Sequence, residues 1–328
     1  IALEYENIGH WNHAVEVLNE ALLDNPENET ALHELGFCFE SMGMSEDAIG
    51  VFQSFVDRHP YSCPGWYNLG NVYQRTGKYH RAIEAYEYAL VVDEGFSPAL
   101  LQKAAALTMT EDYVQAMECY RESILMDAPQ ANIYTLMGEC QERLGNLSEA
   151  EEHYYCALDL DAEFADAHVG LGVVSEMRKD WTSSLKHFEK ALALEPENVE
   201  YHILLGGILR KIGMHDEAGL IYANALRLEP DNLEVFLEAA DNLQKDDRHN
   251  EALALLDGVP LTSTHDPLVV CRRFVSLYRL GQTKQAYSLL DVSLEKTPDL
   301  CTTLVELFPG IAQDAEFSLR VLNAPKNL

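Results

Sequence analysis

The sequence has few basic residues. Its 328 residues include 23 Lys and Arg against 54 Asp and Glu, which gives a formal net charge of −31. Nucleic acids and anionic membranes both attract clusters of cations. The charge therefore argues against nucleic acid and membranes as partners, and it favours an apolar or basic partner. Some carboxylates have a simpler explanation, because Glu29, Glu200 and Glu234 stand where the N-terminal ends of helices are expected.

Long apolar runs and paired cysteines are also missing. No stretch reaches the roughly 18 apolar residues that a membrane-spanning helix needs. The seven cysteines include no Cys-x-x-Cys pair, which predicts thiols in a reducing compartment rather than disulfides or a zinc site. Because the N-terminus shows no secretory pattern, the expected localisation is cytoplasmic.

Motifs of catalysis are absent as well. We find no phosphate-binding loop and no Gly-x-Ser-x-Gly nucleophile motif. The nearest groupings of histidine, His10 with His13 and His153 with Cys156, lack the further ligands of a metal site. The sequence therefore predicts no catalytic residue, no metal and no cofactor, and we expect the chain not to be an enzyme.

What the sequence does contain is a repeat. Small residues recur at a step of 34 residues, with no insertion or deletion between the first and the last. They are Ala14, Ala48, Ala82, Ala116, Ala150, Ser184, Ala218, Ala252 and Ala286. Such self-similarity is the signature of one supersecondary unit in tandem. A single unit cannot bury its own apolar face, so neighbouring units must stack.

Other positions follow the same step. In the clearest unit Trp66, Gly70 and Tyr73 have helical spacing, and Gly77 fits a tight turn between two helices. We expect the small residues Gly70 and Ala82 to let two helix backbones approach closely. Equivalent residues elsewhere are Gly36, Gly138, Gly172 and Gly206 before the alanines, Phe52, Tyr86, Tyr120, Tyr154, Phe188 and Tyr222 after them, and Pro26, Pro60, Pro196, Pro230 and Pro298 at the ends of units.

These positions resemble the tetratricopeptide repeat (TPR) family. The family signature of Trp, Leu-Gly, Tyr, Gly, Ala, Phe or Tyr, Ala and Pro is matched in order, in about nine units over roughly residues 1 to 300. The resemblance implies an all-α fold, an α-α superhelix or TPR solenoid, in which antiparallel helix pairs stack around a concave inner face.

We expect one TPR array over residues 1–300 and a C-terminal capping segment over 301–328, with a short helix over Ala312 to Leu322. The chain starts inside a first helix, so we expect a truncated first repeat with further sequence upstream. Repeat boundaries are expected near 28/29, 62/63, 96/97, 130/131, 164/165, 198/199, 232/233 and 266/267. Asn28, Asn198 and Asn232 are expected to cap the helices that follow them.

Three units depart from the pattern. Glu111 replaces a turn glycine. In a later unit Gly258 and Pro260 cut the second helix short, and we expect irregular stacking between residues 257 and 268, with a hinge as the alternative. Phe274 then stands where a glycine or alanine belongs, and we expect it to push two helices apart.

The resemblance places the groove residues on the first helix of each repeat. The apolar ones are Tyr67, Leu101, Ala105, Met109, Val169, Val173, Met177 and Ile203, with Phe37 and Tyr278 as further aromatic area. Asn68 and Asn71 are expected to hydrogen-bond a peptide backbone, and Arg75, Arg143 and Lys211 to orient the peptide. Such a trough suits the apolar side chains of a peptide or an amphipathic helix. The alternative is that these residues pack between neighbouring repeats.

The basic residues form a ladder that continues through Lys245 and Arg279, with Arg210 beside it. Carboxylates across the trough, at Glu139, Glu200, Glu234 and Asp241, would make its edges polarised and orient a peptide lengthwise. The simpler alternative is that the basic residues complement helix C-termini. A chaperone-binding clamp is not expected, because the lysine that it needs at the fifth repeat position is missing.

The sequence therefore favours a non-enzymatic scaffold that binds a peptide or helical segment of a protein partner in its inner groove. One alternative is that the array recruits substrate for an enzyme whose catalytic domain lies outside this chain. Another is homo-oligomerisation through the exposed end of the truncated first repeat. The identity of the partner and the oligomeric state stay open at this point.

Overall fold

The fold of the chain is given by a computed structural model, which describes residues 10–25, 28–294, 297 and 300–323. The ordered elements of these residues are helices, and no strand occurs among them. The all-α class expected from the repeat is therefore confirmed. The internal contacts of the chain divide it into two compact units, residues 1–170 and 171–328, which are described in turn.

The first unit consists of helix pairs that follow one another along the chain. The first helices of the pairs are α2 (Glu29–Ser41), α4 (Cys63–Arg75), α6 (Ser97–Met109) and α8 (Ala131–Arg143). The second helices are α1 (Trp11–Asp24), α3 (Ser45–Arg58), α5 (Tyr79–Val92), α7 (Tyr113–Met126) and α9 (Leu147–Leu160). Each helix packs against the next, and α4 also contacts the first helices α2 and α6.

The second unit continues the same arrangement after the boundary at residues 170/171, which falls within α10 (Ala165–Met177). Its further first helices are α12 (Val199–Lys211), α14 (Leu233–Lys245) and α16 (Pro267–Arg279). Its second helices are α11 (Trp181–Leu194), α13 (His215–Leu228), α15 (His249–Leu256) and α17 (Thr283–Leu294). The chain ends with α18 (Leu300–Leu307), a 3₁₀ helix (Pro309–Gln313) and α19 (Ala315–Asn323).

Side-chain caps explain where the first helices begin. The Asn28 side-chain oxygen accepts a hydrogen bond from the Ala31 amide at 3.1 Å. Asn198 and Asn232 accept equivalent bonds from amides in the first turns of α12 and α14, and the Ser62 hydroxyl caps α4. The caps expected at the three asparagines are therefore confirmed.

The turn inside each helix pair contains one residue with a left-handed backbone. Positive φ values occur at residues 43, 77, 111, 145, 179, 213, 247 and 281, which follow the step of 34. Five of these residues are glycine, which adopts this conformation without a steric penalty. Glu111, Lys179 and Asp247 adopt it with φ of 63°, 61° and 55°. The geometry of the turn is thus kept even where the glycine is replaced.

The recurring glycine of the first helix makes room for an aromatic ring of the second. A Cβ atom added to Gly70 would lie 2.4 Å from the Tyr86 ring, and one added to Gly138 would lie 2.6 Å from the Tyr154 ring. Both rings are buried. The ring beside the glycine is a contact that the sequence did not predict, since we had expected the glycine only to let two helix backbones approach.

The last two helix pairs of the second unit depart from this pairing of glycine with a ring. Ala240 and Phe274 stand at the glycine position, and Leu256 and Leu290 stand where the ring belongs. All four side chains are buried, and the Phe274 ring makes a T-shaped contact with Tyr287 at a centroid distance of 5.5 Å. The core accommodates Phe274, which we expected to force the helices apart, because leucine replaces the facing ring.

The stretch after α15 is irregular, as expected. This helix ends after 8 residues, whereas the neighbouring second helix α13 has 14. A short 3₁₀ turn at Leu261–Ser263 follows. The Arg273 guanidinium donates to the Leu256 carbonyl at 2.7 Å and lies 3.1 Å from the Asp257 carboxylate. Arg273 thereby satisfies the end of the shortened helix.

The C-terminal segment is fastened to α16 and α17 by one carboxylate. Asp314 accepts hydrogen bonds from the Tyr278 and Tyr287 hydroxyls at 2.7 and 2.6 Å. Phe317 is buried in the same apolar cluster as residues of α16 and α17. The last helix starts at Ala315, later than the Ala312 that we expected, because a 3₁₀ helix precedes it.

Candidate functional site

The expected groove residues lie on first helices, in one group for each unit. In the first unit Tyr67, Asn68, Asn71 and Arg75 lie on α4, Leu101, Ala105 and Met109 on α6, Arg143 on α8 and Val169 on α10. In the second unit Val173 and Met177 lie on α10, and Ile203 and Lys211 lie on α12. We use the term first-helix face for the surface to which these positions contribute, separately in each unit.

A pocket of about 330 Å³ opens between α2 and α4 in the first unit. Its lining residues are Thr30, His33, Pro64, Tyr67, Asn68 and Phe96. Tyr67 and Asn68 were expected in the groove, whereas Thr30 and Phe96 were not. The repeat register offered a signal for Thr30, because it stands at the second repeat position, one of those that the TPR resemblance assigns to the groove. We call this cavity the α2/α4 pocket.

Tyr67 and Asn68 are held in place by neighbours. The Tyr67 ring makes a T-shaped contact with Phe96 at 5.3 Å and lies 6.0 Å from the Tyr86 ring, centroid to centroid. Asn68 is buried, and its amide nitrogen donates to the Pro64 carbonyl at 2.9 Å. The nitrogen of Asn68 is therefore already used within α4, and the pocket gains a rigid aromatic wall from Tyr67.

Asn71 is engaged with the core as well. Its side-chain oxygen lies 2.9 Å from the Tyr86 hydroxyl, as does the side-chain oxygen of Gln74. Burial raises the pKa of Tyr86 far above its ordinary value, so the phenol stays protonated and donates. Asn71 thus satisfies a buried hydroxyl, a role that sequence periodicity does not reveal.

The apolar groove residues remain partly accessible. Leu101, Ala105 and Val169 are half-buried and Met109 is 58 % exposed in the first unit. Phe37, also on a first helix, is 47 % exposed. Apolar side chains that keep this much accessible surface on neighbouring first helices supply the kind of area that a partner's apolar side chains cover.

In the second unit the corresponding surface is smaller. Val173 and Ile203 are half-buried, and Met177 is 51 % exposed. Lys211 pairs with the Glu176 carboxylate of α10. The lysine thus has a partner inside this unit, where the sequence had suggested a group for orienting a peptide.

Carboxylates crowd the first-helix face around α8. Partial desolvation raises the pKa of Glu139, and repulsion from Glu142 and Asp166 raises it further, while Arg143 offsets part of the rise. Burial also raises the pKa of Glu142. A raised carboxyl pKa means that the negative charge is unfavourable in this environment. A cation that approached these residues would therefore be attracted.

The basic ladder of the second unit is largely an internal ion-pair network. The Arg210 guanidinium lies 2.7 Å from the Glu238 carboxylate and 2.8 Å from that of Asp241, whose other oxygen pairs with Arg272. Burial alone would raise the pKa of Asp241, but Arg272 and Arg210 hold it below its ordinary value. Asp241 of α14, which we expected to face the ladder across a trough, therefore lies between Arg210 of α12 and Arg272 of α16.

Tyr278 is also committed elsewhere. Its hydroxyl binds Asp314, and its ring contacts Phe274 and Phe308. We expected it to add aromatic area to the groove, but the C-terminal segment uses it instead.

Within residues 10–25, 28–294, 297 and 300–323, no group of three or more His, Cys, Asp or Glu side chains is placed to hold a metal ion. Across that same described part of the chain, no helix is long and apolar enough to cross a membrane.

Comparison with protein families bears on the origin of this helix arrangement. Models of the tetratricopeptide repeat match residues 30–62, 64–96, 135–194 and 178–232, and together these matches span half of the chain. This chain belongs to the tetratricopeptide repeat family. The TPR solenoid of stacked helix pairs that the resemblance implied is thereby confirmed.

Solved TPR structures share this fold. A tetratricopeptide repeat protein from Parabacteroides merdae is 15% identical, with a TM-score of 0.60, over 76% of this chain and 98% of its own. PilF of Pseudomonas aeruginosa is 18% identical, with a TM-score of 0.51, over 70% and 96%. At these identities the likeness establishes the fold alone.

A longer neighbour is a chain of the APC/C hetero-tetramer Cut9–Hcn1. It is 20% identical, with a TM-score of 0.54, over 87% of this chain, which spans about half, 52%, of that protein. No curated protein matches the chain.

Proposed function

We propose that this TPR array is a non-enzymatic scaffold that binds a peptide or helical segment of a protein partner against the first-helix face of its first unit. TPR proteins generally bind protein or peptide partners. The array would hold a segment of the partner by its side chains and perform no chemistry on it.

The observation that carries this proposal is the α2/α4 pocket. Its walls come from two successive first helices, and Tyr67, Pro64 and Phe96 make it largely apolar. Tyr67 and Phe96 brace each other, so the pocket exists before a ligand arrives. A preformed apolar pocket suits one large apolar side chain of a partner, because little ordering is needed on binding.

The expected partner is apolar with basic residues. Leu101, Met109 and Val169 supply further accessible apolar surface beyond the pocket. The carboxylates of Glu139 and Glu142 lie in an environment that disfavours their negative charge. A lysine or arginine of the partner near α8 would relieve this repulsion and add specificity.

Affinity capture from the native source, followed by titration of the identified partner, tests the proposal. The double variant Leu101→Asp, Val169→Asp should weaken binding at least tenfold, because two charges enter the apolar surface. The matched control is Val91→Asp, Leu125→Asp on second helices, where the wild-type side chains are 80 % and 86 % exposed; it should bind normally. Equal binding by the wild type and the first-helix variant, both folded by circular dichroism, would refute the proposal.

A further inference from the structure

A second cavity lies between the second helices α13 and α15, with α14 as its floor. Its volume is about 380 Å³, and its lining is mostly aliphatic. The aliphatic lining residues are Leu220, Ala223 and Leu226 of α13, Ala239 and Leu243 of α14, and Leu255 of α15. The whole cavity lies within the second unit.

The repeat itself shows why this cavity exists. Gly219 stands at a repeat position where the other repeats carry Val15, Ile49, Ile83, Met117, Glu151, Leu185, Leu253 and Tyr287. Ala239 stands where they carry Leu35, Leu69, Lys103, Met137, Leu171, Leu205 and Arg273. At both positions the residue here is the smallest that any repeat of the array carries, and both residues line the same cavity.

The space beside Gly219 is open. A Cβ atom added there would meet only the Asn242 side chain, at 3.9 Å, which is an ordinary van der Waals distance. The cavity is thus not a site where the backbone forbids a larger residue. It is an unfilled volume beside Gly219, and the two flanking repeats carry a leucine at the position of this glycine.

Asp216 and Arg248 line the cavity, and two further carboxylates, those of Glu251 and Asp246, pair with Arg248 beside it. The Arg248 guanidinium is shared by Asp216 at 3.0 Å, Glu251 at 2.7 Å and Asp246 at 3.7 Å. One positive charge thus faces three negative ones. Leu220, beside the acidic rim, is 68 % exposed. Aliphatic walls below an acidic rim match an apolar side chain that is accompanied by a basic residue.

We propose that this cavity is a second docking site for a protein segment, in which a side chain of leucine or phenylalanine size fills the volume beside Gly219 and Ala239. A lysine or arginine next to that side chain meets the rim carboxylates. The size fits, because a dry cavity of about 150 Å³ already holds benzene. This site is built on second helices and does not rest on the proposed function, which concerns the first-helix face.

The test uses the full chain with ¹³C-labelled methyl groups and two synthetic peptides. The first peptide places leucines at i, i+3, i+4 and i+7 among lysines, and the second has serine in place of every leucine. At about 0.15 M salt the leucine peptide should shift the methyl signals of Leu220, Leu226, Leu243 and Leu255 in a saturable way. The serine peptide should leave them in place, because it offers charge without the apolar side chain.

The variant Gly219→Leu supplies the leucine that the flanking repeats already have at this position. We therefore expect the variant protein to fold with an unchanged melting temperature. It should weaken binding of the leucine peptide at least tenfold, since the volume is filled. The matched control is Gly207→Leu on α12, a helix-interior glycine whose added Cβ meets nothing within 4 Å, and it should change the affinity less than twofold.

Three results would overturn the inference. The first is a set of shifts confined to first-helix methyl groups such as those of Leu101 and Val169. The second is equal binding of the leucine and serine peptides, and the third is binding by Gly219→Leu within twofold of the wild type. None of these results counts against binding at the first-helix face, so failure here is distinguishable from failure of the proposed function.

Discussion

At the scale of single residues, glycine serves two separate purposes in this array. In the first helix it leaves room for a ring from the second helix, as Gly138 does for Tyr154. In the turn it provides a left-handed backbone, as Gly213 does with φ of 83°. The two kinds of glycine position differ in how well they tolerate a larger residue. A ring cannot be moved cheaply in a close-packed core, whereas Lys179 takes the turn conformation with backbone strain alone.

The first purpose predicts that Gly138→Ala destabilises the protein by about 1–3 kcal/mol, the range for overpacking. The added methyl group would lie 2.6 Å from the buried Tyr154 ring. Urea denaturation measures the effect. The control Gly207→Ala, where the space is open, should instead stabilise by about 0.5–1 kcal/mol, because alanine favours the helix. Equal stability of the Gly138 variant and the wild type would contradict this account of the ring contact.

The second purpose predicts that Lys179→Gly raises the free energy of unfolding by about 1 kcal/mol, since it removes a left-handed non-glycine residue. The reverse change, Gly213→Ala, should lower it by a similar amount. Both are read from chemical denaturation with a common slope. A Lys179→Gly variant that is less stable than the wild type would show that the lysine side chain does more than occupy the turn.

At the scale of elements, the departures from the repeat are compensated by specific contacts. Arg273 stands where most repeats have leucine or methionine. Its guanidinium contacts the end of the shortened α15, at the Leu256 carbonyl and the Asp257 carboxylate. Asp314 attaches the C-terminal segment to α16 and α17 by accepting hydrogen bonds from two tyrosine hydroxyls. In both places a charged side chain holds an element that departs from the regular repeat.

Arg273→Leu introduces the residue that four other repeats carry at this position. We nevertheless expect it to destabilise the protein by about 1–3 kcal/mol, the range for an unsatisfied buried polar group. The Leu256 carbonyl would lose its donor. Urea denaturation measures the loss, and Arg227→Leu at an exposed site on α13 should stay within about 0.5 kcal/mol of the wild type. If the two variants were equally stable, the capping role of Arg273 would be excluded.

Asp314 predicts an acid-dependent attachment of the C-terminal segment. Hydrogen bonds from the Tyr287 hydroxyl, the Phe317 amide and the Tyr278 hydroxyl lower the pKa of Asp314 to about 2, against about 3.9 in an unfolded chain. Because the folded value is the lower one, the stabilisation is complete above about pH 4 and is lost as the pH falls towards 2.

Asp314→Asn is therefore expected to lower stability at pH 7, and its difference from the wild type should shrink between pH 4 and pH 2. Urea titrations of both proteins at several pH values give this difference. A difference that stays constant over the whole range would show that the carboxylate charge is not what fastens the segment.

Much of the element scale is predictable from sequence, because it is set locally. Capping asparagines such as Asn198 act within three residues, and the breakers Gly258 and Pro260 act on their own helix. The internal roles of Asn71 and Asp241 and the capping by Arg273 were not predicted. Their partners lie 15 to 31 residues away, so the repeat register assigns them a position but not a rotamer or a partner.

At the scale of the whole molecule, the carboxylates behind the net charge of −31 are paired with arginines in some places and repel one another in others. In the second unit arginines and carboxylates pair with one another, as Arg210, Asp241 and Arg272 do. In the first unit Glu139 and Glu142 repel each other on the first-helix face. The net charge thus indicates the character of the partner only where it lies beside accessible apolar surface.

The central claim is that a partner segment lies against the first helices of the first unit, with a side chain in the α2/α4 pocket. Site-specific photo-crosslinking tests it most directly, with p-benzoylphenylalanine placed at Tyr67 or, as the control, at Tyr155, a second-helix residue that is 48 % exposed. With the partner captured from the native source, we predict a crosslink from position 67 and none from position 155. A crosslink from position 155 with none from position 67 would contradict the account.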